Sequence, residues 1–216
     1  MANPLAQMHV EYTNDFAKIV SDKNPMIAAP LKLSDCSLVS DGAAALVLTA
    51  TGNALSLKDQ VVEISDLIHT SDYLSIVEGK RSTHELTAAK YAVSKVLANV
   101  GLRIHDIDVA EVHDCFTITE LLIYEAMGLT PSGRGRDALL NGDVYVGGKL
   151  PINPSGGLKA KGHPVGATGV SMHVLIAKQL LGEAIGEQVK HATIGLTLNI
   201  GGSGATNIAS VLRRIK

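Results

Sequence analysis

The chain has 216 residues, 46% of them hydrophobic, and a formal net charge of -2, which supplies a packed core and excludes a wholly disordered polypeptide. With no basic block, two Phe, five Tyr and no Trp, it lacks the clustered charge and the stacking platforms of a nucleic-acid binder. Two cysteines, Cys36 and Cys115, make neither a disulfide framework nor a zinc-ligand pattern and fit a reducing compartment, for which the cytoplasm is the default.

The opening Met1-Ala2-Asn3-Pro4-Leu5-Ala6-Gln7 has no charged segment leading into an apolar run, so it does not read as a signal peptide. Its closing Arg213-Arg214-Ile215-Lys216 is not the peroxisomal tripeptide, and no apolar stretch is long enough to span a bilayer. After a stretch punctuated by Pro and Asn, the apolar run Ala43 to Ala50 predicts a buried strand, ended by a turn at Thr51-Gly52-Asn53. Val61 to Ile64 starts a second strand. A helix follows, with Ser82 or Thr83 as its cap, Glu85 close behind, and Leu86, Ala89, Val93, Val96, Leu97 and Val100 at helical spacing up to Gly101.

Ile107 to Val112 alternates polar and apolar residues like a half-buried strand, and Phe116 to Met127 reads as a helix stopped by Gly128. His113-Asp114-Cys115 therefore occupies a strand-to-helix junction. The Gly-, Pro- and Asn-rich region from Thr130 to Gly157 predicts loop, Pro and Gly disfavour regular structure through Lys161, and a helix runs from about Val165 to Leu181. Apolar strands from Ala192 to Ile200 and from Ala205 to Leu212 flank Gly201-Gly202-Ser203-Gly204. The β-α-β-α-β-β pattern argues an α/β fold, whose ligands bind at strand-end loops.

The segment Asn153 to Gly169 is the most informative about chemistry, because it surrounds His163 and two lysines with glycines and then enters a helix. Backbone N–H groups at a helix start favour polar or anionic ligand groups, so an imidazole there can face a pocket. Taken alone, the segment reads first as a glycine-rich turn with an incidental histidine. No His, Asp and Glu spacing suggests a metal site, and His69, His84, His105, His173 and His191 read as structural or exposed.

Three clusters, in this order, resemble the thiolase superfamily: His113-Asp114-Cys115-Phe116, then Gly162-His163-Pro164, then Asn199-Ile200-Gly201-Gly202-Ser203-Gly204. The first is similar to the fingerprint of the sterol carrier protein and lipid-transfer branch. Asn3-Pro4-Leu5-Ala6-Gln7 and Asp35 to Ala45 match that branch as well. The resemblance implies a thiolase fold, an α/β architecture of two similar βαβαβαββ halves with the nucleophilic cysteine in the first. It matches only the C-terminal part: residues 1–55 correspond to the remainder of the N-terminal half, and residues 56–216 to the C-terminal thiolase domain. The implied explanations are a split enzyme with a separate N-terminal subunit, which an intact start and end favour, or a truncated product.

Thiolases cleave or form the carbon-carbon bond of a 3-oxoacyl-CoA through an acyl-cysteine. By resemblance, His163 takes the proton of that cysteine, Cys115 is the second acid/base, His113 with His163 and a water stabilises the enolate oxygen, and the Gly201 N–H holds the acyl-enzyme oxyanion. Ser155 and Gly156 resemble the loop beside the reacting thioester. Asn199 stands where most thiolases carry a catalytic cysteine; it can hydrogen-bond substrate but cannot relay a proton. Cys36 matches a position near a strand and reads as a small buried residue. Lys159 and Lys161 read as solvated loop lysines, with attraction to CoA phosphates as the alternative. Coenzyme A enters as substrate, and no permanently bound cofactor is implied. The implied partners are an N-terminal-half subunit in an α2β2 assembly, acyl-CoA and, in some relatives, a small zinc-ribbon/OB-fold protein. A thiolase-fold aldolase of β-hydroxyacyl thioesters and a non-catalytic, lipid-binding scaffold are the competing readings.

Overall fold

The computed structural model describes residues 6–7, 9–76 and 81–215. Asn3, Pro4 and Leu5 of the first matched segment lie outside the described residues. In chain order the elements begin with α1 (Asn14–Lys18), the small hairpin β1 (Met26–Ala28) and β2 (Leu31–Lys32), and α2 (Thr51–Leu57). The main body follows as β3 (Val62–Ser71), α3 (Thr87–Asn99), β4 (Val109–Val112), α4 (Thr117–Ala126), α5 (Gly135–Leu140), α6 (Gly157–Lys161), α7 (Thr168–Leu181), β5 (Ile194–Gly201) and β6 (Thr206–Arg214). Among the described residues no helix is long and apolar enough to cross a membrane.

The sheet runs in the order β3-β6-β5-β4, with β4 and β5 parallel and the other pairs antiparallel. Side chains alternate along β5, so Leu196, Leu198 and Ile200 enter one core with Ala89, Val93, Val96 and Leu97 of α3 and Ile123 and Tyr124 of α4. The opposite face carries α7, whose Ile176 and Leu180 pack with Val109 and Leu212. A bulge between Ile64 and Asp66 reverses the facing of β3: Val62 and Ile64 lie against the α7 core, whereas Ile68 lies against the α3 core. Helices thus cover both faces, as the α/β pattern predicts.

Several expectations are corrected. Ala43 to Ala50 is not a strand: it joins no ladder, and Val47 is 98% exposed, because none of the described strands lies beside it to accept its hydrogen bonds. The turn expected at Thr51-Gly52-Asn53 is the start of α2. Ser82 does not cap α3, which starts at Thr87; its hydroxyl accepts the N–H groups of His84 (3.2 Å) and Glu85 (3.0 Å) in a turn ahead of the helix. Gly157 to Lys161 winds into α6, and α5 interrupts the region expected as loop. The turn of Ala167 and Thr168 N–H groups onto the Pro164 carbonyl delays α7 to Thr168.

The third strand of the expected βαβαβαββ half survives as a parallel bridge between Ala110 and Ile152. Pro151 has no N–H to extend the ladder and Asn153 turns into the left-handed region at φ 52°, so pairing stops after one step.

Gly195 lets the sheet and α7 approach closely, since a Cβ there would lie 2.3 Å from the Ile176 Cγ2 atom. Gly195→Ala should destabilise by about 1–3 kcal/mol in urea denaturation through overpacking. Gly52→Ala, in exposed α2 with nothing within 4 Å of the added carbon, should stabilise by about 0.5–1 kcal/mol. Equal effects at the two positions would contradict this packing.

Candidate active site

The parallel pairing of β4 with β5 carries the chain past Val112 with the His113 N–H still bonded to the Leu198 carbonyl (3.1 Å). His113 is 7% exposed and lies beside Asn199, whose Oδ1 is 2.7 Å from its Nδ1. An amide oxygen only accepts, so His113 Nδ1 carries the proton of this bond. Burial first, then the charges of His163 and Lys161, push the His113 pKa down to about 4 against the supporting bond from Asn199. The ring is neutral at physiological pH.

His163 approaches from the α6–α7 turn, its ring edge-on to His113 with centroids 4.8 Å apart and planes at 89°. Its Nδ1 is 2.7 Å from Thr168 Oγ1, and that hydroxyl donates its single proton to the Pro164 carbonyl at 3.0 Å. Thr168 therefore accepts from His163 Nδ1–H and leaves Nε2 with a free lone pair, the form a base requires. Desolvation and, after it, the Lys161 charge hold the His163 pKa below the ordinary histidine value. His113, His163, Asn199, Gly201 and Gly202 line one cavity of about 240 Å³.

The structure does not bring every expected residue into that cavity. Cys115 opens into a neighbouring one of about 190 Å³ with Arg81, Thr119, Ser203 and Gly204, and Ile200 lines both. Its Sγ lies 3.9 Å from Thr119 Oγ1, and burial pushes its thiol pKa up, so Cys115 is a protonated group. Ser155 is buried, with its hydroxyl donating to Glu111 at 2.7 Å, and Gly156 lines a third, larger cavity of about 610 Å³ with Glu120, Tyr124 and Asn153. His173 is held between the Gly169 carbonyl (2.7 Å) and Ser210 Oγ (3.0 Å).

The N-terminal segment laces these loops together. Ser37 N–H donates to the Cys115 carbonyl at 2.8 Å, Val39 bridges to His163, and the His163 N–H donates to Ser40 Oγ at 3.2 Å. The Lys159 ammonium donates to the carbonyls of Leu33 (3.2 Å) and Cys36, so this lysine is spent inside the chain.

Sequence reading missed the buried carboxylates behind the histidines. Glu111 sits on a strand expected to be half-buried, yet Val109 to Val112 is buried throughout. Glu111 accepts Ser155 N–H (3.2 Å) as well as its hydroxyl, Asp114 accepts Leu158 N–H at 2.6 Å, and Glu120 accepts from Asn153 Nδ2 at 3.2 Å. Burial raises Glu111 and Glu120 to about 7 and moves Asp114 upward. A lone acid between Ala110 and Val112 was the available signal; nothing local separates it from a solvent-facing one. Among the described residues no three His, Cys, Asp or Glu converge to hold a metal.

A two-layer covered mixed sheet with paired histidines where β4, β5 and the α7 turn meet defines a thiolase-type α/β domain. Residues 69–214 match the family described as thiolase C-terminal domain-like, and the chain belongs to it. It is 38% identical over 212 residues to an acetyl-CoA acetyltransferase of Methanothermobacter thermautotrophicus, covering 98% of this chain and 54% of that protein. It is 41% identical over 207 residues to sterol carrier protein 2 of Bos taurus, covering 94% of this chain and 37% of the other. The chain thus spans about half or less of these relatives' length. The solved structure named Ltp2-ChsH2(DUF35) aldolase shares the fold at a TM-score of 0.79 and 23% identity, over 94% of this chain and 51% of that one.

Glu111 supplies a stability test. Its folded pKa of about 7 exceeds the unfolded value of 4.5, so the folded state holds the proton through that window and the Glu111 contribution to stability falls as pH rises from about 4.5 to 7. The loss is on the order of 3 kcal/mol. Glu111→Gln should remove that contribution from the pH slope of stability measured by denaturation from pH 5 to 8, leaving the similar contribution of Glu120; a slope identical to that of the parent would assign the ionisation elsewhere.

Proposed function

We propose that the chain is the C-terminal part of a CoA-dependent thiolase acting on 3-oxoacyl-CoA, with the nucleophilic cysteine supplied by a complementary N-terminal half on a separate subunit. Residues 1–55 are then the remainder of that first half and residues 56–216 the C-terminal domain. The observation that carries the reading is His163: a neutral imidazole whose Nδ1–H is tied to Thr168 and whose Nε2 is free, in one cavity with His113, Asn199 and Gly201.

In this reading the His163 Nε2 takes the proton of the nucleophilic thiol, and the thiolate attacks the 3-oxo carbon. The bond between the α- and β-carbons breaks, and its electron pair passes into the enolate of the departing CoA thioester. Cys115, kept as a thiol by burial, returns a proton to that α-carbon from the adjoining cavity. Coenzyme A then takes the acyl group from the cysteine: its thiol proton passes to Cys115, and the cysteine leaves as a thiolate that recovers the proton held on His163. The Gly201 N–H stabilises the acyl-enzyme oxyanion, and His113 acts on the enolate oxygen through a water. Exposed Val39, which bridges to His163, together with relatives about twice as long, supports a complementary half in an α2β2 assembly.

Copurification of the chain with its complementary half provides the test. In that complex, His163→Ala should lower kcat for 3-oxoacyl-CoA thiolysis by at least about 10²-fold with an unchanged circular dichroism spectrum. A fully active variant removes His163 from the mechanism, and a complex without CoA-dependent cleavage of any 3-oxoacyl-CoA rejects the thiolase reading. A scaffold would tolerate the change.

Asn199 favours a second reading, aldol cleavage of a β-hydroxyacyl-CoA, because it stands where an acid/base cysteine is expected and cannot relay a proton. Replacing the complementary half's cysteine separates the two. Thiolysis should disappear, whereas persistent cleavage of a 3-hydroxyacyl-CoA identifies aldol chemistry.

A further inference from the structure

We propose that Asn199 is a positioning residue that fixes His113 as its Nδ1–H tautomer, so that His113 presents an unprotonated Nε2, a hydrogen-bond acceptor, to the cavity it shares with His163. The proposal rests on reading His113 as a residue of the candidate site, but its test does not depend on turnover.

Three features carry it. The first is the contact itself: Asn199 Oδ1, which has no proton to give, stands 2.7 Å from His113 Nδ1, so the ring must donate. The second is that both partners are held by backbone. His113 N–H is bonded to the carbonyl of Leu198, the residue next to Asn199, and β5 continues through Asn199 to Gly201 in antiparallel register with β6. Ring and amide meet because two neighbouring strand ends are locked side by side.

The third feature is the wall behind the amide. Gly169, in the first turn of α7, leaves room for the Asn199 Nδ2 group: a Cβ there would lie 3.0 Å from that nitrogen. The amide is confined between α7 and the His113 ring, with the oxygen on the ring side. An uncharged acceptor also suits a buried imidazole that stays neutral, since a carboxylate at 199 would favour a charged ring. With Nδ1 committed, His113 cannot donate from Nε2 to an oxyanion while neutral. Its action on a substrate oxygen passes through a group that first donates to Nε2, such as a water.

The tautomer is read from long-range proton-nitrogen correlations on the complex with 15N-labelled histidine, the His113 signals being assigned by their loss in His113→Gln. The wild type should show a protonated Nδ1 and an unprotonated Nε2. Asn199→Asp, which keeps an acceptor but adds a charge, should keep Nδ1 protonated while favouring a proton on Nε2 as well, and Asn199→Leu, which has no acceptor, should lose the Nδ1 proton and move that signal into the unprotonated range. A wild-type His113 protonated on Nε2 overturns the proposal without any variant, and so does an Asn199→Leu protein that keeps the Nδ1–H form. Loss of thiolysis with the expected spectra retained would count against the thiolase reading and leave the tautomer assignment standing.

Discussion

The site depends on the parallel register of β4 and β5. Val112 lies opposite Leu198, so the next residues along, His113 just past the end of β4 and Asn199 still within β5, stand side by side and meet at 2.7 Å. A slip by one residue would turn every side chain of the strand to the other face. Asn199 would then enter the α3 and α4 core, and a buried apolar residue would take its place beside the imidazole. The register is enforced by what both strands bury: Leu196, Leu198 and Ile200 of β5 with Ala110 and Val112 of β4 on one face, and Val109 of β4 and Gly195 of β5 on the α7 side with Ile176.

Once those strands are set, the second histidine arrives by a different route. His163 is the product of a turn, a short helix and the start of α7, and its ring is oriented by Thr168, five residues further along the chain. The segment around Ser37 to Ser40 pins both loops from outside, through Cys115 on one side and His163 on the other. Three distant stretches of chain therefore converge on a cavity that none of them could form alone.

Behind this cavity the electrostatics favour neutral groups. Burial raises Glu111, Asp114 and Glu120 and lowers both histidines, while Lys161 works against the shifts of Glu111 and Asp114 and adds to the lowering of the imidazoles. Each carboxylate is tied to a group on the loop that leads to His163 or on its approach: Glu111 to Ser155, Asp114 to Leu158 and Glu120 to Asn153. Their hydrogen bonds hold that loop, which makes them structural supports of the site.

Residues with strong local chemistry were legible from sequence. The helical spacing of Ala89, Val93, Val96 and Leu97 and the apolar runs of β5 and β6 placed the core and strands, and His113, His163 and Asn199 stood out by motif. Ala43 to Ala50 was misread because an apolar run specifies a strand only where a neighbour accepts its backbone bonds. Glu111 was misread because alternation marks two faces without saying that both are covered. What the sequence by itself determined was an α/β chain with candidate residues at its strand ends. Only the tertiary structure decided that His113, His163 and Asn199 share a cavity while Cys115 opens into the next, and which imidazole nitrogen carries the proton, because those depend on distances between segments up to 86 residues apart.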